Sequence, residues 1–304
     1  MNSYELLNLL GSSEKKRIII DTDAYNEVDD QFAIAYAMLS PDRIDLLSLN
    51  AAPFVNKRAS TPLEGMSKSY DEIQKIMELT LPGSSGRIPS YKGSGQWMSS
   101  SGVPVESDAC DNIIRTVMDS DEPVYIIALG ALTNVSSAII KEPGITEKSA
   151  VIWLGGHTLD WPHTREFNLW GDKIASQVLF DSNMPLLQIP CYGVCSAFTT
   201  TVPELKYYLG GKNPLCDYLV GSVDSYIGSA YAASKPIWDV TAVAAAVKPE
   251  ALGCVVIPRP AVTSDGHWAF DGARTPYVYV RNIKRDIIYA DLFRKLGNEN
   301  ITII

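Results

Sequence analysis

Arg17-Ile-Ile-Ile-Asp-Thr-Asp-Ala-Tyr-Asn-Glu-Val-Asp-Asp-Gln-Phe-Ala33 runs from a β-branched segment into five acidic residues within ten positions: Asp21, Asp23, Glu27, Asp29 and Asp30. Ile18 to Ile20 read as a buried parallel strand, and Phe32, Ala33, Ala35, Tyr36 and Leu39 carry the apolar stripe of a helix that starts near Asp29. The acids therefore gather at the carboxyl end of a strand, which in an open α/β sheet is the ligand-binding edge. Carboxylates crowded there repel one another unless a cation neutralises them, and a divalent ion that prefers hard oxygen ligands meets that need. Helix capping is the plainer reading, because acids in a first turn satisfy free N–H groups and oppose the helix dipole. Capping uses one side chain or two. It leaves the other acids unexplained, and Asp21 and Asp23 precede the helix altogether.

Outward from this stretch, strand and helix patterns alternate. Ile44–Asn50, Pro123–Leu129, Ala150–Gly155 and Pro185–Pro190 read as strands, separated by helical patterns over Glu64–Leu79, Ser107–Met118, Gly130–Ile140 and Asp172–Phe180. Pro203–Ala230 supplies tyrosine-rich helical segments, and Ile237–Ala246 an apolar helix that contains Asp239. Cys254–Ile257, Tyr277–Val280 and Ile287–Ala290 read as short closing strands that include an antiparallel pair. This order predicts an α/β fold: an open, mainly parallel, Rossmann-like sheet with helices on both faces and its site at the carboxyl ends of the strands. Polar residues collect at those exits, with Asn56 after the second strand and Asp160, His163, Glu166 and Asn168 after the strand ending at Gly155. The Gly/Ser-rich stretch Gly83–Gly102 holds Tyr91, Gln96 and Trp97, a composition that suits a lid over a planar ligand.

The 304 residues are read as one domain spanning 1–304, with 1–16 as an N-terminal extension. Lys+Arg 26 against Asp+Glu 35 gives a net charge of −9, and no basic cluster is present to bind nucleic acid or an anionic membrane. A small neutral ligand fits that balance better. The five cysteines lack paired spacing and are expected to be free thiols in a reducing compartment. With no signal-like or membrane-length apolar run, the expectation is a soluble cytoplasmic protein.

Asp239, within Ile-Trp-Asp-Val-Thr-Ala-Val-Ala, is costly to bury unless it is paired, metal-bound or a helix cap. With Asp23, Asp30 and a strand-end carbonyl it would supply a protein's share of a calcium site. Here the chain resembles the inosine-uridine nucleoside hydrolases. The resemblance is carried by Asp21-Thr-Asp23 and Asp29-Asp30 after an apolar strand, then in order by Ala128-Leu-Gly-Ala-Leu-Thr-Asn134, Gly155-Gly156, Glu166-Phe-Asn168 and Asp239. It spans roughly residues 17 to 290.

The resemblance implies Ca²⁺-dependent cleavage of the N-glycosidic bond of ribonucleosides by a homo-oligomer, a dimer or tetramer. It makes Asp23 a metal ligand and the base that takes a proton from water, with Asp30, Asp239 and the Leu129 backbone oxygen completing the metal set. It gives Asp29, Glu166, Asn168 and Asn56 to the sugar, and Asp21 a supporting role. Carboxylates near the ribose would also stabilise an oxocarbenium-like transition state.

The chain departs from the family pattern in three places. Many members carry a histidine before the late Asp; Trp238 stands there, and an indole cannot act as a general acid but can stack on a purine. Trp97 or Trp161 would then face it from the other side. The loop Ala24–Val28, with Asn26 and Glu27, is two residues longer than usual, which would let Glu27 replace an aspartate at the metal. A sugar-loop position that is often Asn is Asp160, with His157 and His163 within reach of the base. Two rivals follow: a haloacid-dehalogenase-like phosphohydrolase using Mg²⁺, with Asp21 as nucleophile and Asp23 as acid, and a nucleoside- or ribose-binding protein with little turnover. The first leaves Asp29-Asp30 and Glu166-Phe-Asn168 without duties.

Overall fold

Lys16–Thr22 forms β1 with its three isoleucines fully buried, Ile18 and Ile20 facing one core and Ile19 the other, as alternation along a strand covered on both faces requires. The computed structural model describes residues 1–83 and 87–298. In chain order the strands are β1, β2 (Ile44–Ala51), β3 (Ser90–Lys92), β4 (Val124–Ala128), β5 (Ser149–Leu154), β6 (Leu186–Ile189), β7 (Thr199–Thr200), β8 (Lys235–Pro236), β9 (Leu252–Pro258), β10 (Ala261–Val262), β11 (Trp268–Ala269) and β12 (Pro276–Ile283). The helices are α1 (Ser3–Gly11), α2 (Asp30–Met38), α3 (Pro62–Thr80), α4 (Asp108–Met118), α5 (Thr133–Lys141), α6 (Ile145–Lys148), α7 (Phe167–Gly171), α8 (Lys173–Asp181), α9 (Val202–Tyr208), α10 (Pro214–Ile227), α11 (Val240–Val247) and α12 (Arg285–Leu296).

Among the described residues one sheet runs β3-β2-β1-β4-β5-β6-β12-β9. Its strands are parallel except for β9, which pairs antiparallel with β12 as the sequence suggests. The chain winds one way from β1 through β2 to β3 and the other way from β4 onward, so β1 and β4 flank the point where strand order reverses. A crevice opens at such a switch point. Asp23 leaves β1 and Leu129 leaves β4 beside each other there, tied by the Leu129 N–H donating to the Asp21 carbonyl at 2.8 Å.

Two expectations need correction. Ile287–Ala290 lies inside α12, not in a strand: Ile288, Tyr289, Leu292, Phe293 and Leu296 are buried at helical spacing, and tertiary packing overrides the β-propensity of an Ile-Ile-Tyr run. In the Gly83–Gly102 stretch, residues 84–86 lie outside the described residues, and the remainder is not a free lid. Ser90–Lys92 within it form the edge strand β3, the Ser94 N–H donates to Asn134 Oδ1 at 2.8 Å, and the Met98 N–H donates to Asp172 Oδ2 at 2.9 Å. The five cysteines are unpaired. No helix among the described residues is long and apolar enough to cross a membrane.

Candidate active site

Asp21, Asp23, Asp29, Asp30 and Asp239 are each 4% exposed or less. Asp29 and Asp239 stand at the N-cap positions of α2 and α11, yet neither side chain caps its helix. The capping explanation therefore fails for the two residues best placed for it. The two helices pack on each other and aim their positive ends at the same point, a field that favours anions. Carboxylate oxygens of Asp29, Asp30 and Asp239 all lie within 4.8 Å of one another. Asp23 is close enough for its charge to be felt, although it stands outside that triplet. Burial, then Asp30, Asp29, Glu166 and Glu27, push its carboxyl far above the usual range.

The other acids respond in the same direction. Burial and then Asp29 raise Asp30 to about 7, although Thr22 Oγ1 donates to it. Burial raises Asp239, with Asp29, Asp30 and Asp23 adding to the effect. Asp21 is raised to about 7 by burial even with Asn134 Nδ2 donating to its Oδ1 at 2.9 Å. Oδ2 of Asp23 and Oδ2 of Asp21 are buried with no hydrogen-bond partner. Such carboxylates are costly to keep without a compensating cation, and the set fits a hard divalent ion. The Leu129 carbonyl accepts from Asn168 Nδ2 at 2.7 Å and retains a second lone pair.

Asp23, Asp29, Asp30, Asp239 and Leu129 line a cavity of about 490 Å³, whereas Asp21 does not reach it. Asn56 and Asn26 sit on its rim, Asn56 Nδ2 donating to Asn26 Oδ1 at 2.7 Å. Glu166 caps α7 and accepts backbone N–H groups from Gly156, Asn168 and Leu169. Asn168 ties the ends of β4 and β5 by donating to both the Leu129 and Leu154 carbonyls. Trp238 is half-buried and faces the cavity, edge-on to Tyr192 at 5.8 Å. Trp161 does not line the cavity; it stacks on Tyr192 at 5.5 Å and lies 5.9 Å from the His157 ring, both of which do.

Three expected contributors are placed elsewhere. Asp160 is exposed and does not line the cavity, while His163 stands behind His157 with ring centroids 5.6 Å apart. Trp97 lines a neighbouring cavity with Phe54 and Trp170. His157 itself faces the acidic cavity; burial, then His163, push its imidazole down to about 4, so it is neutral at pH 7. Glu27 does not join the acid triplet, because Lys235 Nζ at 2.6 Å and the Tyr226 hydroxyl at 2.9 Å occupy its two oxygens. Tyr192, Tyr226, Cys191 and Lys235 escaped the sequence reading. Tyr192 and Cys191 follow β6 and carry no local sign of a role in the sequence.

The match to curated relatives is local. Two pyrimidine-specific ribonucleoside hydrolases RihA, from Enterobacter sp. (strain 638) and Escherichia coli O1:K1 / APEC, are each 30% identical over 87 and 88 residues respectively. Each alignment spans 28% of this chain and 28% of the relative. Similarity in fold extends much further. A plant nucleoside hydrolase, PpNRh1, superposes with a TM-score of 0.74 at 21% identity, covering 93% of this chain and 99% of the other. A purine-preferring ribonucleoside hydrolase from Gardnerella vaginalis gives 0.76 at 19%, covering 93% and 98%. The family model for inosine-uridine preferring nucleoside hydrolases matches residues 18–281, from the strand before the acids to the last strand of the sheet, and the chain belongs to that family.

Proposed function

We propose that this protein hydrolyses the N-glycosidic bond of ribonucleosides, with calcium as its resident cofactor and a preference for purines. The observation that carries this reading is the convergence of four buried carboxylates from β1, α2 and α11 on one cavity at the sheet's switch point. Asp30, Asp239, the Leu129 carbonyl and Asp23 would hold the ion. When bound, calcium would increase the acidity of water and offset the charge of the acids around it. Asp23 would hold the proton taken from water, its unpartnered Oδ2 being the available oxygen. Asp29 would face the ribose hydroxyls, with Glu166, Asn168 and Asn56 completing the grip on the sugar. The negative field of these groups favours positive charge developing on the ribose as the bond breaks.

The purine preference rests on Trp238, whose indole face would stack on a bicyclic base while Tyr192 stands edge-on to it in the cavity wall. The names of relatives point both ways, RihA being pyrimidine-specific and the Gardnerella enzyme purine-preferring. Five unpaired thiols suit work in a reducing compartment.

Purified protein incubated with inosine, adenosine, guanosine, uridine and cytidine, with and without chelation, tests the reading. Ribose should be released fastest from the purines, fall away on chelation and return with calcium. No ribose from any nucleoside in the presence of calcium would overturn the proposal. Asp23→Asn should lower kcat by about 10²–10⁴-fold while leaving nucleoside binding measurable.

A further inference from the structure

Lys235 is a buried cation beside the acid cluster, and the proposed reaction above gives it no role. Its side chain is 5% exposed, held at the β7–β8 pairing opposite Thr200. Its ammonium donates to Glu27 Oε2 at 2.6 Å and to the Pro236 carbonyl at 2.8 Å, and lies 3.9 Å from Asp29 Oδ1. It also sits 5.3 Å from the Tyr226 ring centroid and 5.7 Å from that of Trp238. A buried ion pair adds little net stability, because desolvation offsets most of the Coulomb gain. Stability alone therefore gives a weak reason for an ammonium at this depth.

Position supplies a better one. Three carboxylates crowd within 4.8 Å, and a hard cation drawn to them would engage all three unless one were otherwise compensated. Among them, Lys235 forms an ion pair with Asp29 alone. Glu27 anchors that lysine, and Glu27 belongs to the loop that is longer than the family pattern. Arg58 fixes the loop by donating to the Tyr25 and Glu27 carbonyls at 3.1 and 3.0 Å.

We propose that Lys235, locked by Glu27, is a positioning residue that compensates the charge of Asp29, keeps it from serving as a third metal carboxylate beside Asp30 and Asp239, and presents it to the 2′,3′-diol of the ribose. The longer loop is then part of sugar recognition. The inference rests on ribonucleoside hydrolysis being the reaction.

The test compares kcat and KM for inosine and 2′-deoxyinosine in the wild type, Lys235→Met, Lys235→Arg, Glu27→Gln and the double variant Glu27→Gln/Lys235→Met. Lys235→Met should reduce kcat/KM for inosine about tenfold or more, chiefly through KM, and reduce it for the deoxy analogue by less than about twofold. Discrimination between the two sugars collapses accordingly. Lys235→Arg should recover part of the loss, and the double variant should retain it. Recovery in the double variant would overturn the proposal, because Lys235 would then merely neutralise Glu27. Equal losses for both sugars would overturn it as well. If the wild type hydrolyses neither substrate, the reaction assignment fails by itself, and calorimetric binding decides the role of Lys235: inosine bound equally by wild type and Lys235→Met removes it. Melting curves and calorimetry serve all variants, so a misfolded Lys235→Met is recognised and replaced by the Arg variant.

Discussion

Trp238 precedes Asp239 and turns a half-exposed indole toward the cavity, where it has no proton to give a departing base. What it offers is a flat apolar face, with Tyr192 standing edge-on beside it. Replacing Trp238 with Ala should cost purine turnover about tenfold more than pyrimidine turnover, a difference within the range of a lost aromatic stack. Equal losses in kcat/KM would show that the ring only packs. His157, neutral because burial and His163 hold its imidazole near 4, should place no ionisation near its ordinary pKa of about 6.5 in the kcat/KM profile. A limb near that pH that vanishes in His157→Gln would make it the leaving-group acid after all. At this scale the carboxylates were legible in the sequence, since a charge at the end of an apolar strand or inside an apolar helix is costly and therefore conspicuous. Lys235 was not. Glu27 and Lys235 are 208 positions apart, and a lone lysine before a proline carries no local sign that it will be buried against an acid.

Elements with uninterrupted apolar stretches were the easiest to place, because β1, β4 and β5 are covered on both faces. Elements that depend on what packs over them were not. β3 has only three residues and no apolar signature, and its place at the sheet edge comes from pairing with β2. α12 hides a helical stripe behind a β-rich tetrapeptide. The turn after β3 also shows how tightly the edge is fitted to the site. A methyl group on Gly93 would lie 1.9 Å from the Ala51 carbonyl oxygen and 2.4 Å from Asn134 Nδ2, the nitrogen that donates to Asp21. Gly93→Ala should therefore destabilise the protein by about 2–3 kcal/mol, as overpacking does, and disturb Asp21 from the far side of its amide partner. Chemical denaturation of the variant measures it; a loss under about 0.5 kcal/mol would mean that the turn simply shifts outward.

For the whole molecule, the buried acids set the response to pH. Asp21 and Asp30 are raised from 3.8 to about 7 in the folded, metal-free protein, so folding takes up protons between those values. Their contribution to stability is fullest below pH 3.8 and is lost as pH rises toward 7, the reverse of an ordinary salt-bridged carboxylate. Without metal, Tm should fall between about pH 5 and pH 8, and Asp30→Asn should flatten that slope. Calcium, competing with protons for the same oxygens, should raise Tm more at the alkaline end than at the acidic end. Equal gains at both ends, read by thermal melts with and without calcium, would place the ion elsewhere. At the opposite side of the sheet from this chemistry, α1 buries Leu6 and Leu10 and Ser3 Oγ donates to the Pro276 carbonyl at 2.8 Å. The segment read as an extension therefore roofs an apolar floor that includes Leu187, Ala245 and Leu252. A recombinant fragment trimmed to where family similarity begins, at residue 18, would strip that roof and yield sticky, aggregating material with every side chain of the candidate site still in its sequence.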